Sequence, residues 1–218
     1  MEKWVRRGDS GIRNLLFDLG GVIINLDRQR CVDALTALGD EKADEMLDLS
    51  VQRGTLMDLE EGKISPSDFL KRMRQKIGKA VSDEEIVHAL NELLIGIPLD
   101  RLTLLRKLRQ RFNVMMLSNT NPIMFDTKIA ECFAQEGLSI TDYFDDVYLS
   151  YRLKSCKPDI AIFKKVIKLS RIVPQETLFF DDSQKNLDAA ASLGFKTFLV
   201  TPDRDIVTFF NTQSIDDF

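Results

Sequence analysis

Leu15-Leu16-Phe17-Asp18-Leu19-Gly20-Gly21-Val22 runs from an apolar stretch straight into a carboxylate, with two glycines close behind it. The apolar part lacks the polar alternation of a strand with one wet face, so it reads as a strand buried on both faces, the pattern of a parallel sheet. Four more runs of the same kind follow, at 114–119, 147–150, 178–182 and 197–201, each rich in Val, Phe or Leu and each ending in polar residues. Helical patterns lie between them. Leu105, Leu108 and Phe112 share one face; Phe163, Val166 and Ile167 share another, in a helix opened by Pro158; Leu187, Ala190 and Ala191 form a third stripe closed by Gly194. Strands alternating with helices predict an α/β fold, a doubly wound parallel sheet.

The stretch from 28 to 97 breaks this rhythm, with helix signals and no convincing strand. Ser65-Pro66 opens a segment with Phe69, Leu70, Met73 and Ile77 on one side. Ser82-Asp83-Glu84-Glu85 has capping-box spacing ahead of Ile86, Leu90, Leu93 and Leu94. The sequence therefore predicts a small helical insertion after the first strand, with Pro98 marking the return. The expected division is a core domain of residues 1–27 and 98–218 and a helical domain of residues 28–97.

Composition narrows the function classes. The 218 residues are 44% hydrophobic and 29% charged, ordinary for a globular chain, and the net charge is -4. That charge argues against broad nucleic-acid or anionic-membrane binding. No apolar run reaches the length of a membrane span, and the basic start has no apolar stretch of a secretory signal after it. Cys31, Cys132 and Cys156 are odd in number and lack CxxC spacing, so reduced thiols in a cytoplasmic protein are expected. The single histidine, His88, sits in a helical segment without metal-ligand neighbours, which sets aside histidine-rich metal sites and argues against a Ser-His-Asp triad.

In a doubly wound sheet, ligands gather at the carboxyl ends of the strands. Four such ends carry chemistry here. Asp18 suits attack on phosphorus or metal ligation, and capping a turn is its plainer role. Ser118-Asn119-Thr120-Asn121-Pro122 offers a hydroxyl and backbone N–H groups for a phosphoryl oxygen, with ordinary helix capping as the alternative. Lys157, just before Pro158, can neutralise a phosphate or simply be a surface lysine. Asp181-Asp182, with Asn186 four residues on, place two adjacent carboxylates after an apolar strand; they repel unless a cation or donors offset them. Magnesium suits such oxygen ligands, a solvated acidic turn being the other reading.

Taken together and in this order, the segments 17–22, 117–121, Lys157 and 179–182 resemble the haloacid-dehalogenase-like superfamily, across about Asn14 to Val200. Within it they look like the subgroup of bacterial sugar-phosphate phosphatases of the glucose-1-phosphatase type and the phosphatase domain of soluble epoxide hydrolases. The resemblance implies a Rossmann-like core with the helical insertion as its cap. It also implies a magnesium-dependent phosphatase acting on a small phosphorylated metabolite, a sugar phosphate among the options. In that scheme Asp18 is the nucleophile, forms an aspartyl-phosphate and touches the metal. Ser118 and the Asn119 backbone bind the phosphoryl group, and Lys157 neutralises it. Asp182, the Gly20 carbonyl and Asp181 complete the metal's surroundings, and Asn186 braces them.

One position departs from the family. Its motif places a proton-donating aspartate two residues after the nucleophile, where this chain has Gly20. Leaving groups that need a proton should suffer, unless water or a neighbour such as Asp27 serves. Two other readings stay open: a metal-free 2-haloacid dehalogenase, disfavoured by Asp181-Asp182 and Gly20, and a non-catalytic phosphate-binding or interaction protein. Met57-Asp58-Leu59-Glu60-Glu61-Gly62 reads as a solvated turn between helices, or as the part of the cap that closes the pocket. The physiological substrate and the oligomeric state are not legible.

Overall fold

The computed structural model describes residues 11–47 and 54–212. Five parallel strands form the central sheet: β1 (Asn14–Phe17), β4 (Asn113–Ser118), β5 (Asp146–Leu149), β6 (Thr177–Asp181) and β7 (Lys196–Leu199). Their order is β5-β4-β1-β6-β7. β1 is central because both of its neighbours pair with it in parallel, Phe17 lying opposite Met116 on one side and Phe180 on the other. The strands sit within one or two residues of the apolar runs, and the doubly wound α/β fold expected from them is the one observed.

Side-chain alternation in β1 explains why it has no polar face. Leu15 and Phe17 point into one layer with Val114, Met116, Leu178 and Phe180, while Leu16 joins Met115, Leu117 and Phe179 in the other. Helices cover both layers. α6 (Leu99–Leu108) and α13 (Ile206–Thr212) pack on the first, and α11 (Ile160–Ser170) and α12 (Gln184–Ala191) on the second.

Between β1 and β4 lie α1 (Arg28–Leu38), α2 (Ala43–Met46), α3 (Thr55–Glu60), α4 (Pro66–Ile77) and α5 (Asp83–Asn91). Ser65 caps α4, and the Ser82–Glu85 capping box closes the start of α5. Their apolar faces make a cluster of their own, with Val32, Leu35, Phe69, Met73 and Ile86 buried together. Ile123 reaches into that cluster from α7 (Pro122–Met124), which follows β4. Past α7 come a five-residue π turn (Phe125–Ile129), α8 (Ala130–Phe133) and α9 (Ile140–Tyr143). α10 (Ser150–Leu153) follows β5.

Several local expectations need correction. The 28–97 segment does contain a strand: β3 (Leu94–Gly96) pairs antiparallel with β2 (Asn25–Leu26) in a two-stranded ribbon where the chain leaves and re-enters the sheet. Such short strands are held by each other rather than by a repeating apolar pattern. α11 starts at Ile160, with Asp159 accepting from the Ala161 N–H, so Pro158 precedes the cap instead of opening the helix. Phe112 is buried but lies beyond α6, and Ala191 faces solvent. Cys31, Cys132 and Cys156 are free and buried, and His88 is exposed on α5. Among the described residues, no helix is long and apolar enough to cross a membrane.

Phe163 is fully buried against the edge of Phe179, ring centroids 5.6 Å apart. Phe163→Ala should therefore destabilise the fold by about 3–5 kcal/mol, the usual cost of emptying an aromatic site in a packed core, as read from urea unfolding.

Candidate active site

The polar strand ends meet at one rim of the sheet because β1, β4 and β6 are neighbours in parallel register. Asp18 directly follows β1, and its N–H extends the ladder by donating to the Phe180 carbonyl at 2.8 Å. The chain then turns, and the Leu19 N–H donates to Asp18 Oδ1 at 2.6 Å. Lys157 lies with its ammonium 2.8 Å from that same Oδ1 and 2.7 Å from Asp181 Oδ2. Both Lys157 and Asp181 are buried, Lys157 also lying over the Phe179 ring.

Asp181 is held from the other side as well. Its Oδ1 accepts from the Ser183 N–H at 2.8 Å and from the Asn186 amide at 2.9 Å. Asp182 is on the open side of the cluster. One carboxylate oxygen from each of Asp18, Asp181 and Asp182 lies within 4.8 Å of the others. Three carboxylates face a single ammonium here, so the group carries excess negative charge in a place poor in water. Burial pushes the Asp18 carboxyl up to about 7, with Asp181 and Asp182 adding to the rise and Lys157 opposing it. Asp182 is raised too, by burial and then by Asp181. Burial alone would lower Lys157, but Asp18 and Asp181 outweigh it and its pKa rises. Oxygen ligands in excess of their counter-charge are what a hard divalent cation binds, so this donor set fits magnesium.

Two features of the rim were not legible in the sequence. Gly21 has φ +71, and a Cβ there would sit 2.2 Å from Asp182 Oδ2, so this glycine is what lets the Asp182 carboxylate come close to the loop after β1. Asn119 makes two bonds with the backbone of Lys157: its Oδ1 accepts from the Lys157 N–H at 2.8 Å, and its amide donates to the Lys157 carbonyl at 2.9 Å. The Asn119 side chain thus fixes the main chain from which the lysine reaches Asp18. Ser150, fully buried at the end of the β5 run, does similar work for the loop after β4. Its hydroxyl accepts from the Thr120 N–H and donates to the Thr120 carbonyl, each at 3.0 Å. The polar end of that run was the available signal for Ser150.

Ser118 is buried at the end of β4, its hydroxyl donating weakly to the Asn119 carbonyl at 3.3 Å. Asn121 caps α7 by accepting from the Met124 N–H, the plainer of its two readings. Asp27 caps α1, accepting from the Arg30 N–H at 3.2 Å, which gives its carboxylate a structural task. At Gly20 a Cβ would approach Leu26 Cδ1 at 3.0 Å, so the end of a flexible side chain borders the place where a residue-20 side chain would stand.

A family model of haloacid dehalogenase-like hydrolases matches residues 12–194. The chain is 40% identical over 187 residues to D-ribitol-5-phosphate phosphatase of Bacteroides thetaiotaomicron, covering 86% of this chain and 91% of that one. A HAD family enzyme of the same organism, solved in complex with magnesium and inorganic phosphate, superposes with a TM-score of 0.84 at 40% identity, covering 89% of this chain and 97% of that one. A HAD-like hydrolase from Porphyromonas gingivalis gives a TM-score of 0.81 at 36% identity, over 86% of this chain and 90% of its own. With strand order, the carboxylate rim and sequence all in agreement, the chain belongs to the haloacid dehalogenase-like hydrolases.

Proposed function

We propose that this enzyme is a magnesium-dependent phosphatase that hydrolyses a small phosphorylated sugar or polyol through an aspartyl-phosphate on Asp18. The observation that carries the reading is the meeting at one rim of three carboxylates, Asp18, Asp181 and Asp182, within 4.8 Å of one another, with the Lys157 ammonium in contact with the first two. The similarity to a D-ribitol-5-phosphate phosphatase favours a phosphorylated polyol over other esters. A dehalogenase reading leaves the three-carboxylate cluster without a task.

In this reading the Asp18 carboxylate attacks phosphorus in line with the ester oxygen. The bond from phosphorus to that oxygen breaks, and the departing alkoxide takes its proton from water, because Gly20 offers none. Water then attacks the phosphorus of the acyl-phosphate, the bond to Asp18 breaks, and inorganic phosphate leaves. Lys157 offsets charge on the phosphoryl oxygens throughout, while the Ser118 hydroxyl and the Asn119 N–H orient them. Asp18, Asp182, Asp181 and the Gly20 carbonyl would hold the magnesium, which supplies positive charge to phosphoryl oxygens and carboxylates together. The core of residues 1–27 and 98–218 carries this chemistry, and the helical unit of residues 28–97 acts as a cap that encloses the rest of the substrate.

Asp18→Asn keeps the side-chain shape and removes the nucleophile. It should lower kcat on an aryl phosphate by about 10³-fold or more, and chelation by EDTA should silence the wild type until magnesium is restored. Undiminished turnover in Asp18→Asn, or wild-type turnover that survives chelation, would sink the reading. Gly21→Ala should drive the Asp182 carboxylate out of place and weaken magnesium binding by about tenfold or more, as measured by titration calorimetry. In Gly20→Asp the new Cβ displaces only the end of the Leu26 side chain, and the substitution should raise kcat/KM on an alkyl phosphate by up to about 10²-fold. The gain on an aryl phosphate, whose leaving group needs less help, should be smaller.

A further inference from the structure

The turn after α3 approaches the core more closely than a residue with a side chain would allow. Gly62 has φ +60, and a Cβ on it would lie 2.3 Å from the Tyr151 carbonyl oxygen and 2.5 Å from Lys154 Nζ. From the core side, Lys154 Nζ donates to the Gly62 carbonyl at 2.6 Å, a short charge-assisted bond.

Lys154 is itself set in an unusual backbone state. It ends α10 with φ 52 and ψ 47, left-handed values that non-glycine residues seldom adopt. Its N–H closes α10 on the Ser150 carbonyl. Lys165 Nζ donates to the Leu153 carbonyl at 2.7 Å and to the Lys154 carbonyl at 3.2 Å. Neighbours on both sides therefore hold the residue in the conformation from which its side chain reaches Gly62. Three residues later, Lys157 holds Asp18. A cavity of about 340 Å³ lies beside Lys157, walled by Met57, Asp58 and Glu61 from the α3 side and by Cys156, Lys157 and Pro158 from the core.

We propose that Lys154 is a latch: a positioning residue that holds the α3 turn down over the cavity beside Lys157 and sets how closely the non-phosphate part of the substrate is enclosed. The enclosing role rests on the phosphatase reading; the latch itself does not. The contact is one exposed hydrogen bond between a lysine and a backbone carbonyl, weak enough to open and reform in each catalytic cycle. Elsewhere the links from the helical unit to the core include Ile123, buried in its apolar cluster, the Asn91 amide donating to the Thr127 hydroxyl at 3.0 Å and the pairing of β3 with β2. Those contacts are suited to stay closed while the α3 turn lifts.

Lys154→Met keeps the apolar stem of the side chain and the backbone strain but removes the donor, and Lys154→Arg restores a donor. Two readouts test the latch. In backbone hydrogen exchange, the amides of residues 57–64 should exchange about fivefold faster in Lys154→Met, with those of the central sheet unaffected. With magnesium present, KM for D-ribitol 5-phosphate should rise about tenfold in Lys154→Met while kcat changes far less, and Lys154→Arg should return both readouts toward wild type. Wild-type exchange over residues 57–64 in Lys154→Met would overturn the latch, as would a KM shift that arginine fails to reverse. If wild-type protein hydrolyses neither D-ribitol 5-phosphate nor p-nitrophenyl phosphate while exchange behaves as expected, the phosphatase reading falls with its enclosing role, and the latch stands.

Discussion

Lys157 carries an ammonium into a place that water scarcely reaches, and Asp18 and Asp181 meet it there at 2.8 and 2.7 Å. A buried charge without a partner costs several kcal/mol, so the three groups are tolerable only together. The arrangement dictates much of what surrounds it. Asn119 has to fix the Lys157 backbone, because a mobile lysine would leave two carboxylates facing each other. Ser183 and Asn186 have to satisfy the far oxygen of Asp181. Asp182, added to this set, tips the balance toward negative charge, and a divalent cation answers that excess.

The sheet makes the arrangement possible. Parallel pairing of β1 with β4 and β6 sends three strand ends to the same rim, and two largely apolar faces let helices cover the sheet on both sides. The rim is thus built on strands rather than on long loops, which holds Asp18 and Asp181 to one geometry. Glycine appears where crowding is greatest. Gly21 admits the Asp182 carboxylate, and Gly62 admits a core lysine and a core carbonyl. Both are places where backbone from one part of the molecule meets polar atoms from another.

The helical unit has an apolar cluster of its own, yet it borrows Ile123 from the segment that follows β4. Ser118 and Asn119 lie just before that segment. The residues that approach the phosphoryl group in the proposed mechanism and the residue that plugs into the helical unit are thus consecutive parts of one loop and helix. Packing of the insertion and placement of the rim are linked through a few residues of chain.

The sequence by itself determined the five strands of the central sheet, the α/β class and the identity of the polar residues at the strand ends. Burial on both faces of a parallel sheet writes unbroken apolar runs, and the residue that stops each run marks where the strand leaves the core. It also determined the capped starts of α4 and α5, since capping is a local exchange between a side chain and N–H groups a few residues away. Tertiary structure alone decided that Asn119 braces Lys157, that Ser150 clamps Thr120 and that Gly21 and Gly62 are sites of close approach. It alone revealed the ribbon of β2 and β3, whose partners stand about seventy residues apart in the chain. Each of these depends on atoms that only folding brings within a few ångströms, and local pattern carries no record of distance through space.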